Sequence, residues 1–219
     1  MSAARRIQLL EWAEQAGAWI VEDDYDSEYR YEDVPIASLQ GLDRNSRVIY
    51  IGTFSKTLFP SLRVGYIVIP RDLVDRFINV RLSMDLYPPH LYQAPLAAFI
   101  REGHFARHVR RTRQVYRERR GILMASLQHE FGTSLQILGT DAGLHVVAIL
   151  PKGMQDEEIG KRAAYEKLWL WPLSRTYIGP ASQGFILGFG STVTKTIPEA
   201  VHHLRRLVLR GRRQAETKQ

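Results

Sequence analysis

Cysteine is absent from all 219 residues, which excludes a disulfide framework and any thiolate metal site. The absence fits a reducing compartment. No apolar run approaches the roughly 18 residues that a membrane-spanning helix requires. The opening residues, Met1-Ser2-Ala3-Ala4-Arg5-Arg6, lead into Ile7, Leu9, Leu10 and Trp12 interspersed with Glu11 and Glu14. This is an amphipathic helical pattern without the apolar core of a secretory signal. Together these features predict a cytoplasmic protein with no membrane partner. Internal repeats and low-complexity tracts are also missing, apart from a polar end after Gly211. What remains is 45% hydrophobic and 24% charged, an ordinary globular composition. The length permits one or two domains with a substantial core.

Acidic excess is lacking too: the net charge is +7. Residues 101–120 hold eight arginines against two acids, with His104 and His108 among them, and the end from Arg205 adds five arginines and Lys218 against Glu216. One reading is a DNA-facing stripe. The other is a long amphipathic helix with Phe105, Val109, Tyr116 and Ile122 inside and the arginine heads in water. No aromatic platform or recognition-helix pattern accompanies the charge, so the second reading is favoured, with a secondary electrostatic contact to DNA left open.

The most informative stretch is Gly52-Thr53-Phe54-Ser55-Lys56-Thr57-Leu58-Phe59-Pro60-Ser61-Leu62-Arg63-Val64-Gly65-Tyr66. The β-rich run Val48-Ile49-Tyr50-Ile51 delivers the chain into it. A lone lysine is ordinarily a solvated surface residue. A lysine just past a strand end, beside hydroxyls and a fixed cation, instead suits a Schiff base with an aldehyde. Thr53, Ser55 and Arg63 are then placed to hold a phosphate. Upstream, Ala18-Trp19-Ile20-Val21 reads as a buried strand ending in Glu22-Asp23-Asp24-Tyr25-Asp26. Ligands of open α/β sheets bind at the carboxyl ends of strands. Pyridoxal 5′-phosphate (PLP) requires a lysine, a cationic phosphate cradle, a carboxylate for its ring nitrogen and a donor for its phenolic oxygen. All four requirements have a matching residue here.

Val21 to Tyr31 and the Gly52–Tyr66 segment closely resemble the aminotransferase-like domain of MocR-type regulators in the GntR family. These regulators couple a winged-helix DNA-binding domain to a fold-type-I PLP domain. Gly103-His104-Phe105-Ala106-Arg107-His108-Val109-Arg110-Arg111, Ala142-Gly143-Leu144-His145 and Leu187-Gly188-Phe189 extend the resemblance over nearly the whole chain. It implies that Lys56 forms the Schiff base, that Asp23 pairs with the ring nitrogen and that Tyr25 faces the phenolic oxygen. Arg63, Ser55 and Thr53 hold the phosphate. Strand alternation favours Asp23 over Asp24, because Asp23 and Tyr25 share a face. The resemblance further implies a homodimer, DNA contact through a winged helix outside this chain, and a PLP or small-amine effector. Set against it, the expected fold class is α/β, the C-terminal part of a fold-type-I PLP-dependent transferase: a partial large-domain sheet plus an α/β small domain.

Residues 1–90 read as the remainder of the PLP-binding large domain: helix, strand, loop, strand, lysine turn, a strand over 64–69, then a helix opened by Arg71-Asp72. Tyr87-Pro88-Pro89 is the predicted boundary. Residues 91–219 read as the small domain: helices over 90–100 and the basic stretch, strands over 144–150, 168–173 and 185–189, and helices over 156–167 and 198–210. The alternating acids Asp24, Asp26 and Glu28, near Asp23, Glu32 and Asp33, offer a Mg²⁺ site as a lesser alternative. His145 reads as a buried, hydrogen-bonded histidine, and His202 and His203 as surface residues without a paired ligand. In the resembling enzymes, a late strand carries an arginine that clamps the substrate carboxylate. Ile186 occupies that place here, with Arg175 nearby as a conceivable substitute. Two functions therefore compete: a PLP-dependent ligand sensor controlling DNA binding, and an aminotransferase acting on an amino acid. A third reading is a truncated module that no longer binds PLP stably.

Overall fold

The computed structural model describes residues 1–31, 37–86, 90–139 and 141–216, with backbone only from 212 onward. The expected boundary at Tyr87-Pro88-Pro89, and Glu32 and Asp33, lie outside the described residues. The chain divides into two compact units: Met1–Glu28 with Glu32–Arg110, and Tyr29–Tyr31 with Arg111–Gln219.

The first unit opens with α1 (Ala3–Gln15), capped by the Ser2 hydroxyl accepting from the Arg5 amide and ended by Gly17 at positive φ. Ala13, Leu9 and Leu10 of α1 pack with Ile20, Leu39 and Val48. Ile20 begins β1 (Ile20–Asp24) and Val48 begins β2 (Val48–Thr53). These two strands run parallel, with Ile20 opposite Val48 and Asp24 opposite Gly52. β3 (Gly65–Val68) pairs antiparallel on the other side of β2, giving the order β1-β2-β3. Two strands expected from apolar runs are therefore found, but β1 starts and ends later than 18–21. Its acids belong to the strand because parallel pairing with β2 recruits them, and propensity alone would not. A short helix, α2 (Leu39–Leu42), was not expected. The Ser38 side chain caps it, and Glu22 accepts from the amides of Leu39 and Gln40 at 2.8 and 3.0 Å. α3 (Val74–Met84), α4 (His90–Arg101) and the first turns of α5 (His104–Phe131) complete this unit. No residue of α3 is buried, and all four β3 residues are exposed.

The second unit is a four-stranded antiparallel sheet in the order β4-β5-β7-β6. Its strands are β4 (Gln136–Leu138), β5 (His145–Ile149), β6 (Trp171–Pro172) and β7 (Gly184–Gly188). Val146, Ala148, Phe185 and Leu187 share one core with Leu123 and Leu127 of α5, Ile159 of α6 (Asp156–Tyr165) and Val201, Leu204 and Leu207 of α7 (Ile197–Glu216). The spacing Ile197, Val201, Leu204, Val208 is the i, i+4, i+7, i+11 stripe of an amphipathic helix. Burying each such side chain contributes about 1.5–3 kcal/mol. On the other sheet face, register lines up Leu138, Val147, Ile186 and Trp171 in one apolar row. Tyr29–Tyr31 joins this unit: the Tyr31 hydroxyl donates to the Gly143 carbonyl at 2.8 Å, and the Tyr29 ring meets Tyr116 edge-on at 4.9 Å. The arginine-rich helix packs largely as the amphipathic reading expects. Val109 is buried and Phe105, Tyr116 and Ile122 are half-buried, while Arg107, Arg110, Arg111 and Arg117 are exposed.

His202 is exposed and His203 half-buried, and each joins an ion-pair cluster with a glutamate. His202 Nδ1 meets a Glu130 carboxylate oxygen at 3.0 Å, with Arg205 on the other oxygen at 3.1 Å. His203 Nε2 meets Glu166 at 2.6 Å, with Arg210 at 3.2 Å. Each carboxylate thus binds one histidine and one arginine of α7. The hydrogen bonds from His202 and His203, then the arginines, hold both carboxyls below the ordinary value of 4.5. A depressed folded-state pKa contributes stability above the unfolded value, and that stability is lost as pH falls through the folded value. Thermal stability should therefore fall as pH drops below about 4.5, and Glu130→Gln/Glu166→Gln should flatten that slope. An identical slope in wild type and variant would show that these clusters do not couple to stability.

Candidate functional site

All six residues predicted as a site lie in the first unit, and the strand directions explain how they gather. β1 and β2 are parallel, so their carboxyl ends share one edge of the sheet. β1 delivers Asp23 and then Tyr25 there, and β2 delivers Thr53, Ser55 and Lys56. β3 is antiparallel to β2, so its start lies at the same edge, with Gly65 opposite Thr53. The Phe54 amide donates to the Val64 carbonyl at 3.1 Å, which ties Arg63 to the lysine turn. Six residues spread over 41 positions of sequence therefore converge on one end of a three-stranded sheet.

Alternation sorts the acidic run. Glu22 and Asp24 point to one face and Asp23 and Tyr25 to the other. Glu22 caps α2 and pairs with Arg6 at 3.2 Å. Asp24 accepts from the Tyr50 hydroxyl at 2.8 Å and from the Ser27 amide at 3.2 Å. Burial, then the Asp24 contact, pushes the Tyr50 phenol far above its usual value, so it stays a donor. Asp23 and Tyr25 are exposed on the face they share with Val21. The Tyr25 phenol is also raised, mainly by Asp26, then by burial and by Asp23. It remains a neutral hydrogen-bond donor at physiological pH.

The lysine turn is closed from within. The Leu58 amide donates to the Phe54 carbonyl at 2.8 Å, and the Ser55 amide donates to the Thr53 hydroxyl at 3.1 Å. Lys56 is exposed, whereas Thr57 behind it is buried. Arg63 takes a left-handed conformation, φ 51°, a strained choice for a residue with a β-carbon. The Tyr66 ring lies against Gly52, where an added β-carbon would meet it at 2.3 Å. Gly52 therefore lets the aromatic stack Tyr50, Tyr66, Phe54 and Phe105 close over the strand end, with centroids 6.0, 5.3 and 5.6 Å apart in succession. Sequence reasoning gave Tyr50, Tyr66 and Phe105 no part in the site, and the glycine at a strand end was the available clue.

The donor set suits a phosphorylated pyridine aldehyde such as PLP. It supplies a primary amine, a guanidinium with two hydroxyls, a carboxylate and a neutral phenol at one sheet edge. A metal is less well served: among the described residues no group of three candidate ligands assembles. The remaining candidates lie in the second unit. Ile186 is half-buried in β7, Arg175 pairs with Glu157 at 3.2 Å, and His145 is half-buried in β5. An apolar cavity of about 270 Å³, lined by Leu123, Leu170, Phe189, Val201 and Leu204 among others, contains none of the six site residues. Among the described residues, no helix is long and apolar enough to cross a membrane.

Comparison with known proteins bears on this arrangement. Residues 3–180 match the family model described as aminotransferase class I and II. A protein of Rhizobium meliloti described as "Probable rhizopine catabolism regulatory protein MocR" is 45% identical over 201 residues, covering 91% of this chain and 41% of that protein. The multiple substrate aminotransferase of Thermococcus profundus superposes with a TM-score of 0.89 at 27% identity, over 98% of this chain and 53% of its own. The α-aminoadipate aminotransferase of Thermus thermophilus, solved with N-(5′-phosphopyridoxyl)-L-leucine, gives 0.85 at 28% identity, over 95% and 54%. The chain thus spans about half the length of the proteins it matches.

Proposed function

The chain belongs to the aminotransferase class I and II family, and on that premise we propose that it is the PLP-binding, ligand-sensing domain of a MocR/GntR-type transcriptional regulator. Lys56 holds the cofactor through its amine. The observation that carries this reading is the convergence of Lys56, Arg63, Ser55, Thr53, Asp23 and Tyr25 on one end of the β1-β2-β3 sheet. The 45% identity to a described regulator supports it. Bound PLP supplies an electrophilic carbon that amines attack.

The chain's own residues have separate tasks. Arg63 with the Ser55 and Thr53 hydroxyls binds the phosphate, the Asp23 carboxylate keeps the ring nitrogen protonated, and the Tyr25 phenol donates to the ring oxygen. The intact protein is a cytoplasmic homodimer that contacts DNA through a winged helix, and the exposed apolar residues Val21, Ile67, Ile78 and Val80 support burial against further polypeptide. Ile186 cannot form the bidentate contact that an arginine makes with a carboxylate, which favours a sensor over a transaminase.

The aminotransferase folds matched here keep an amino-acid transaminase as the second reading. One pair of measurements separates them. In the full-length protein, PLP should change operator affinity by about five- to 150-fold, the usual range of coupling between sites. In stopped flow, the twenty amino acids should transfer their amino groups slowly or not at all. Rapid transfer from an ordinary amino acid, with DNA affinity unmoved by PLP, would overturn the sensor in favour of the enzyme.

A further inference from the structure

We propose that His108 is a positioning residue for Lys56, acting through the backbone of the lysine turn. The inference rests on the reading of Lys56 as the cofactor lysine. His108 Nε2 lies 2.9 Å from the Thr57 carbonyl oxygen, a contact between residues 51 apart in sequence. A carbonyl can only accept, so Nε2 carries the proton, in the neutral ring or the imidazolium. Thr57 is the residue after Lys56 and is 1% exposed. At that depth a carbonyl left without a donor is costly, so the turn is held where the imidazole is.

The rest of the α5 start reinforces this grip. Phe105, three residues before His108, sets its ring edge-on against Phe54 at 5.6 Å and an interplanar angle of 79°. Phe54 is itself buried and accepts the amide of Leu58. Val109 is buried beside them in sequence. The turn that presents Lys56 is thus fixed from α5 at both shoulders: Phe105 on Phe54 before the lysine, and His108 on Thr57 after it. His104, one turn earlier, takes no part. It is exposed, meets Glu102 at 3.4 Å and stacks on Phe99 at 5.6 Å. The Lys56 side chain starts from this backbone, so holding the turn limits where its amine can be placed.

The test uses full-length protein carrying His108→Ala or His108→Gln. Glutamine can offer an amide N–H to the same carbonyl, whereas alanine cannot. Hydrogen exchange of the Ser55–Leu58 amides is read without PLP, and PLP attachment at Lys56 is read by borohydride reduction and peptide mapping across a PLP titration. His108→Ala should speed exchange at the turn and weaken attachment, each about tenfold, the scale of one lost buried hydrogen bond. His108→Gln should recover both to within about threefold. If wild type is labelled at Lys56 and His108→Ala is labelled with unchanged affinity and exchange, the positioning role is wrong while the cofactor reading stands. If His108→Gln fails as fully as His108→Ala, the histidine acts by packing and the proposal is likewise overturned. If wild type takes PLP elsewhere, the Lys56 reading falls and this role falls with it.

Discussion

Lys56→Ala is expected to abolish covalent retention of PLP, the largest effect foreseen for any single change at the site. Among the six converging residues only Lys56 carries a nucleophilic amine; a guanidinium stays protonated and does not add to an aldehyde. Reduction with borohydride followed by proteolysis should yield one pyridoxyl-modified peptide spanning Lys56 in the full-length wild type and none in the variant. Lys56→Arg keeps the charge and loses the chemistry, so it should retain phosphate attraction without the covalent link. Lys56 is exposed, so neither substitution should move stability by more than about 0.5 kcal/mol. A modified peptide persisting in Lys56→Ala would assign the cofactor to another amine and remove the basis of the proposed function.

Asp156→Ala is expected to be the most destabilising change in the second unit. The Asp156 carboxylate is fully buried and accepts three hydrogen bonds: from the Ser174 amide at 2.9 Å, the Ser174 hydroxyl at 2.6 Å and the Gly184 amide at 2.9 Å. Its own amide donates to the Gln183 side chain at 3.0 Å. One side chain thus joins the start of α6 to the segment after β6 and to the first residue of β7. Alanine leaves the buried Gly184 amide and two part-buried Ser174 donors without this acceptor, at about 1–3 kcal/mol for a fully buried donor and less where water can reach. A loss of about 3–5 kcal/mol follows, a large share of a domain stability of about 5–15 kcal/mol. Relief by movement is limited, because a β-carbon on Gly184 would already meet the Ala148 carbonyl oxygen at 2.4 Å. Asp156→Asn retains one acceptor and should lose about half as much. Urea unfolding followed by tryptophan fluorescence measures both. A shift under about 1 kcal/mol for Asp156→Ala would mean that these donors find water instead.

Several elements of the fold are written in local pattern. The apolar runs at 18–21 and 48–51 mark two strands and the 198–210 stretch marks the last helix, because burial on one face imposes its period on the sequence. Elements made by distant pairing were not accessible. β4 is three residues long and exists because Val147–Ile149 pairs with it. The predicted strand over 168–173 shrinks to Trp171–Pro172, since only those residues meet β7. The acids of β1 gave no strand propensity, yet pairing with β2 makes them strand residues and assigns Glu22 and Asp24 to supporting contacts.

By itself the sequence determined the residue types and local order of the candidate site: a hydroxyl-flanked Lys56 after a strand, Arg63 seven residues on, and Asp23 and Tyr25 alternating on another strand. Those are short-range properties, written in spacing and side-chain chemistry. Only the tertiary structure decided that the two strands are parallel and β3 antiparallel, which brings all six residues to one edge. It alone decided that Tyr29–Tyr31 packs with Tyr116 and Gly143, that Glu130 and Glu166 find histidines 72 and 37 residues away, and that His108 reaches Thr57 across 51 residues. Strand direction and long-range partners follow from which apolar faces and backbone groups can be satisfied together, and that is a property of the whole chain.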